Sequence, residues 1–119
     1  MKETTQIQNL PSELFKTWFH SREEDAEGLK VYRVENFNFP PSRFREEMEI
    51  EDNGEFIVTV PGTTDGRQEM IGTWTASEGN KISVTFSEMK PQDQYQSLLK
   101  PYTLEIVSVD EEVLKVRKS

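Results

Sequence analysis

Apolar and polar residues alternate along most of this chain, and a two-residue period predicts β-strands with one buried face. Phe15 to Ser21 reads as a first strand with Trp18 on one face, and Leu29 to Val34 as a second. In the stretch Phe44 to Glu51, Phe44, Met48 and Ile50 share one face while Arg45, Glu47, Glu49 and Glu51 share the other. Glu46 falls in phase with the apolar face and interrupts it. Phe56 to Val60 follows, and then Met70, Gly72, Trp74 and Ala76 mark one face of a longer strand. Ile82, Val84 and Phe86 line the next, and Tyr102 to Val109 and Val113 to Lys118 form the last two.

The punctuation between these runs is turn chemistry. Asp52-Asn53-Gly54 predicts a hairpin of type I′, because Asn-Gly accepts the two positive φ angles that turn requires. Pro61 to Gly66, Glu78-Gly79-Asn80 and Asp110-Glu111-Glu112 end other strands in the same manner. Pro11 and Ser12 predict one short helical turn over Leu10 to Phe15, while Arg22 to Lys30 reads as an acidic loop. The double proline at Pro40-Pro41 makes 37–42 an extended loop or edge segment. Ser87 to Pro101 is the one long interruption, with spacing that allows a short helix across one barrel end. About eight short strands joined largely by tight turns predict an all-β fold, a single antiparallel up-and-down barrel that closes on itself and leaves no edge. At 119 residues the whole chain is expected to be one domain, 1–119, with residues 1–10 polar and loose.

Composition narrows the function classes. Charged residues make up 30% of the chain and the formal net charge is -8, so nucleic acid and anionic membrane surfaces are poor partners. The absence of cysteine excludes disulfides, thiolate nucleophiles and sulfur-ligated metal, and favours the cytoplasm. Residues 1–10 carry no apolar h-region of a secretory signal, and no apolar run has the length of a membrane span.

Trp18 on the first strand, the meander, and the closing Leu114-Lys115-Val116-Arg117 resemble the calycin group, the lipocalin-like small barrels. Val31-Tyr32-Arg33, Phe39-Pro40-Pro41-Ser42-Arg43 and Gly72-Thr73-Trp74 also look like a bacterial branch of lipocalin-like proteins. The resemblance covers roughly 14–117. It implies that Trp18 packs beneath the barrel floor and that Arg117 stacks on it. The lipocalin signature places Gly two residues before the first Trp, where this chain has Lys16; its own Gly-x-Trp occurs at Gly72.

Candidate chemistry is sparse. His20 is the single histidine, which excludes a multi-histidine metal centre, and no Gly-x-Ser-x-Gly elbow is present. Asp52-Asn53-Gly54-Glu55 lacks the ligand spacing of an EF-hand loop. No metal or cofactor is expected, and the chain is read as a non-enzyme. Glu46 either turns to solvent or, if inward, needs a partner such as Arg33 or Arg43. Tyr32, Arg33, Phe37, Phe39, Arg43, Phe44 and Arg45 form a basic-aromatic cluster with two readings. Either the arginines hold the anionic head of an amphiphile, or Phe37 and Phe39 plug one barrel end while the arginines pair with nearby glutamates. The inward stripe of Trp18, Met48, Ile50, Phe56, Val58, Met70, Trp74, Val84, Phe86, Leu104 and Ile106 lines a pocket or fills the interior.

The expectation is a binding protein for a small apolar or amphiphilic molecule. Trp18, Met70, Trp74 and Phe86 would form its walls, and Arg33 or Arg43 would hold an anionic head. The alternative is a protein-interaction module with a filled core, and an enzyme on the same barrel ranks last.

Overall fold

The computed structural model describes residues 10–42, 44–61, 66–90 and 100–119. Eight strands follow in order: β1 Thr17–His20, β2 Lys30–Arg33, β3 Glu47–Ile50, β4 Glu55–Pro61, β5 Arg67–Ser77, β6 Lys81–Lys90, β7 Tyr102–Val109 and β8 Val113–Lys118. They close into an antiparallel barrel in which β3 to β8 are successive up-and-down neighbours. β1 and β2 complete the circle: β1 pairs with both β2 and β3, and β2 pairs with β8.

Lying between β2 and β3, β1 obliges the connection 34–46 to cross the barrel's outer wall. The aromatic rings along that connection serve this purpose. Phe19 points outward from β1, Phe39 meets it at 6.5 Å, and Phe37 packs edge-on against Phe39 at 4.9 Å. Phe37 and Phe39 therefore cover the outside of the wall and do not plug a barrel end.

Alternation sets the interior as the sequence pattern predicts. In β5, Met70, Gly72 and Trp74 are buried while Glu69, Thr73 and Thr75 are exposed. The whole inward stripe from Trp18 to Ile106 is buried. Among the described strand residues Gly72 is the one inward position without a side chain, and its register explains why. It pairs with Phe56 on β4 and Phe86 on β6, so the two rings approach to 6.1 Å across it. A Cβ at Gly72 would lie 2.1 Å from the Thr85 carbonyl oxygen, where the β5–β6 register shifts.

Two local expectations change. Between β3 and β4 the Gly54 amide donates to the Glu51 carbonyl (3.1 Å), and the Glu51 amide donates to Glu55 (3.0 Å). With Gly54 at φ +100°, this is a three-residue loop ending in a left-handed glycine, not a two-residue type I′ turn. The Asn53 side chain is spent on the Glu55 amide at 3.0 Å, which favours the longer loop. Secondly, the expected break at Ser87 is still strand. β6 runs on to Lys90 because Glu88, Met89 and Lys90 pair with Ile71, Met70 and Glu69. The helix considered within 87–101 falls on 91–99, outside the described residues, as does the segment 1–9.

One end of the barrel holds the β3–β4, β5–β6 and β7–β8 turns and is packed shut. A 3-10 turn, Ser12–Leu14, places the fully buried Leu14 there. The Trp18 indole donates to the Leu14 carbonyl at 2.9 Å, and the Trp74 indole donates to Glu51 at 2.7 Å. Phe15 stacks on Trp74 at 5.6 Å, and Lys16 Nζ reaches the Glu111 carbonyl at 3.0 Å. Both indole N–H groups thus find acceptors within an apolar cluster, which removes the penalty for burying them.

Trp18 lies on the floor side of the barrel, but the cation over its ring is Lys16, with Nζ 5.1 Å from the ring centroid. Arg117 is exposed and sits 3.7 Å from Glu105. Strand phase and level give the reason: Val116 is the buried neighbour, so Arg117 faces outward, and it adjoins the Lys118 that lines the opposite end.

Candidate functional site: a cavity at the barrel mouth

The opposite end of the barrel is not filled by the described residues. A cavity of about 1050 Å³ lies there, with apolar walls from Val58, Val60, Met70 and Tyr102. Its volume is just above the ~300–1,000 Å³ range of small-molecule pockets. Tyr102 meets Phe56 at 6.4 Å and Phe86 at 5.7 Å, so three mutually edge-on rings separate the cavity from the packed end.

The walls arise from strand phase. Val58 and Val60 follow Phe56 at two-residue steps along β4, and Met70 precedes Gly72 on β5, all on the inward face. The same phase brings charge inside. Lys30 shares the face of Tyr32 on β2, Glu46 precedes Met48 by two, and Lys118 follows Val116 by two. Lys30, Glu46, Lys100 and Lys118 all line the cavity.

Glu46 is half-buried and turned inward, the second of its two sequence readings. Its partner is the Tyr32 hydroxyl, which donates to Oε2 at 3.3 Å, and not an arginine among the described residues. Burial first, and then the neighbouring Glu46 carboxylate, push the Tyr32 phenol far above its ordinary value, so it remains a donor. Tyr102 is pushed up for the same two reasons. Beside this pair His20 Nε2 lies 2.9 Å from Asp25, and the His20 ring tilts against Tyr32 at 5.1 Å. Asp25 is held in turn by the Val31 amide at 2.9 Å. Among the described residues no cluster of three or more histidine or carboxylate side chains is placed to hold a metal ion.

Among the described residues expected to form a binding site, Met70 alone lines this cavity. Trp18 and Trp74 belong to the packed end, and Phe86 forms part of the ring layer beneath the cavity. Arg33 points outward from β2 and grips Glu24 with two bonds, Nε to Oε1 at 2.9 Å and Nη2 to Oε2 at 2.8 Å. Its guanidinium also lies over Phe37 at 4.3 Å. Arg43 is outside the described residues. Arg45 repeats the pattern of Arg33, forking onto Glu23 at 2.8 and 2.7 Å and covering Phe39 at 4.5 Å.

The basic-aromatic cluster therefore contains two Arg–Glu–Phe clasps that fasten the β1–β2 connection and the crossing segment to the wall. Each arginine holds its glutamate at a pKa of about 2, the side-chain hydrogen bond being the largest cause. Lys30, Glu46 and Lys118 were the residues that sequence reasoning did not assign to a ligand. The available signal was their phase: each is a charged residue in step with an apolar face, at a strand end.

No family model, curated protein or solved structure matches the chain. Among the described residues no helix is long and apolar enough to cross a membrane.

Proposed function

We propose that this protein is a small-molecule-binding barrel that takes an apolar or amphiphilic molecule into the mouth cavity. The observation that carries this reading is the division of the interior by the Phe56–Phe86–Tyr102 layer. One side is filled, while the other keeps about 1050 Å³ between Val58, Val60 and Met70. A chain selected only for a stable barrel gains by filling such a space, since each missing contact forfeits packing energy. The lipocalin-like resemblance supports the same reading, as does the buried first-strand Trp18. In this reading the protein binds and releases its ligand without covalent chemistry. Its lack of cysteine fits a cytoplasmic setting.

The test is a fluorescence titration with the neutral apolar dye N-phenyl-1-naphthylamine. Saturable binding of one equivalent is expected for the native chain. Met70→Trp, which adds bulk to the cavity wall, is expected to abolish it while the protein stays folded by circular dichroism. Absence of saturable binding, or equal binding by Met70→Trp, overturns the reading in favour of an interaction module.

A further inference from the structure

Accepting the mouth cavity as a binding site, we infer that its ligand is an amphiphile with an anionic head, held at the rim by Lys30 and Lys118 with its apolar tail inward.

The first support is the distribution of charge. The chain carries 22 carboxylate side chains against 14 lysines and arginines, yet among the described residues the charged side chains lining the cavity are three lysines and one glutamate. Among the described residues of an acidic molecule, positive side chains thus outnumber negative ones at this cavity. The arginines at the neighbouring wall are not available for this purpose, since Arg33 and Arg45 are forked onto Glu24 and Glu23. Among the described residues, no carboxylate is ion-paired with Lys30, Lys100 or Lys118.

The second support is register. Lys30 pairs with Val116 across β2 and β8, which makes Lys118 its diagonal neighbour on the same face. Diagonal neighbours of this kind stand ~7–8 Å apart, within reach of long side chains that converge on one group between them. Lys118 Nζ rests 4.3 Å from the centroid of the Tyr102 ring, so its ammonium is already held against the cavity wall. Two lysines on one face that line the same cavity suit the oxygens of a carboxylate, sulfate or phosphate head.

The third support sets the direction of entry. Glu46 lies on the same cavity with Tyr32 as its hydrogen-bond partner. A head-first anion would bring like charge against Glu46 where water is being displaced. An apolar tail avoids that cost, reaches Val58 and Met70, and leaves the head at the lysines.

Displacement of bound N-phenyl-1-naphthylamine by decanoate, decanol and decylamine below their critical micelle concentrations tests this inference. Decanoate is expected to displace the dye at roughly two- to tenfold lower concentration than decanol, as two partly exposed ion pairs allow, with decylamine weakest. The preference is expected to fall within twofold in the double variant Lys30→Gln/Lys118→Gln, and to shrink in high salt. Equal potency of decanoate and decanol, preference for decylamine, or a preference that survives the double variant overturns the inference. Dye binding that none of the three compounds displaces also overturns it but leaves the binding barrel standing. Failure of the dye itself to bind overturns both.

Discussion

The two ends of this barrel are built from the same alternating strands and have opposite interiors. At the turn end, inward positions carry Trp18, Ile50 and Trp74, and Leu14 and Phe15 close over them. At the mouth the same faces carry Val58, Val60 and Met70, then Lys30, Glu46 and Lys118. Eight strands leave an interior that side chains either fill or share with one small ligand. Large rings at successive levels take the first course; smaller apolar residues followed by charges take the second. The boundary depends on Gly72, whose missing side chain lets Phe56 and Phe86 meet with Tyr102 beneath the cavity. A barrel of this size need not be uniformly filled or uniformly hollow, because side-chain volume is chosen level by level.

The contrast can be broken most directly by truncation. Trp18→Ala removes a fully buried ring and its hydrogen bond to the Leu14 carbonyl, with an expected loss of about 3–5 kcal/mol in denaturant unfolding. Met70→Ala, facing a cavity that already exists, is expected to cost less than about 2 kcal/mol, below the range for a close-packed methionine. Equal costs would erase the distinction between the ends. Gly72→Ala comes next, because its Cβ has no room beside the Thr85 carbonyl and Phe86 Cα. About 1–3 kcal/mol is expected from this overpacking, along with a changed near-ultraviolet dichroism of the ring layer. Lys16→Ala sharpens the account of the turn end: loss of the Glu111 contact and of the cation over Trp18 is expected to cost about 0.5–1 kcal/mol.

Charge effects on the outer wall are expected to be smallest, and they separate by pH. Glu23 and Glu24 are lowered from 4.5 to about 2 by Arg45 and Arg33. A lowered carboxylate stabilises the fold above its unfolded value, so this contribution is present above about pH 4.5 and is lost as pH falls through about 2. Glu49 is raised to about 7, first by its hydrogen bond to Glu51 and then by burial. Its contribution has the opposite sign: it is full below about 4.5 and lost as pH rises through about 7. Thermal unfolding is therefore expected to show greatest stability in mildly acid solution. Glu49→Gln should flatten the neutral-side decline, and Glu23→Gln/Glu24→Gln the acid-side one. A decline unmoved by its variant would assign that limb to other groups.

Much of the fold was legible because strand phase is local. The bounds of β7 and β8, the shared face of Met70, Gly72 and Trp74, and closure by about eight strands follow from alternation and turn residues. Binding residues were harder to read, because large aromatics mark an inward face without revealing its level along the barrel axis. Trp18, Trp74 and Phe86 were thus taken for cavity walls when they fill or floor the other end. Arg33 and Arg45 share a sequence neighbourhood with the aromatics, but their partners Glu24 and Glu23 come from the β1–β2 connection, which folds back against β2 at Arg33 and meets the crossing segment at Arg45.

By itself the sequence determined which residues face inward, since the period of two is a property of the extended backbone and needs no neighbour. It also determined that the surface is acidic and that thiol chemistry is absent. Only the tertiary structure decided which inward residues meet. The insertion of β1 between β2 and β3 sent the connection 34–46 across the outer wall. The β2–β8 register set Lys30 diagonally beside Lys118. Local alternation is blind to strand order and register, because both arise from which surfaces bury one another when the sheet closes.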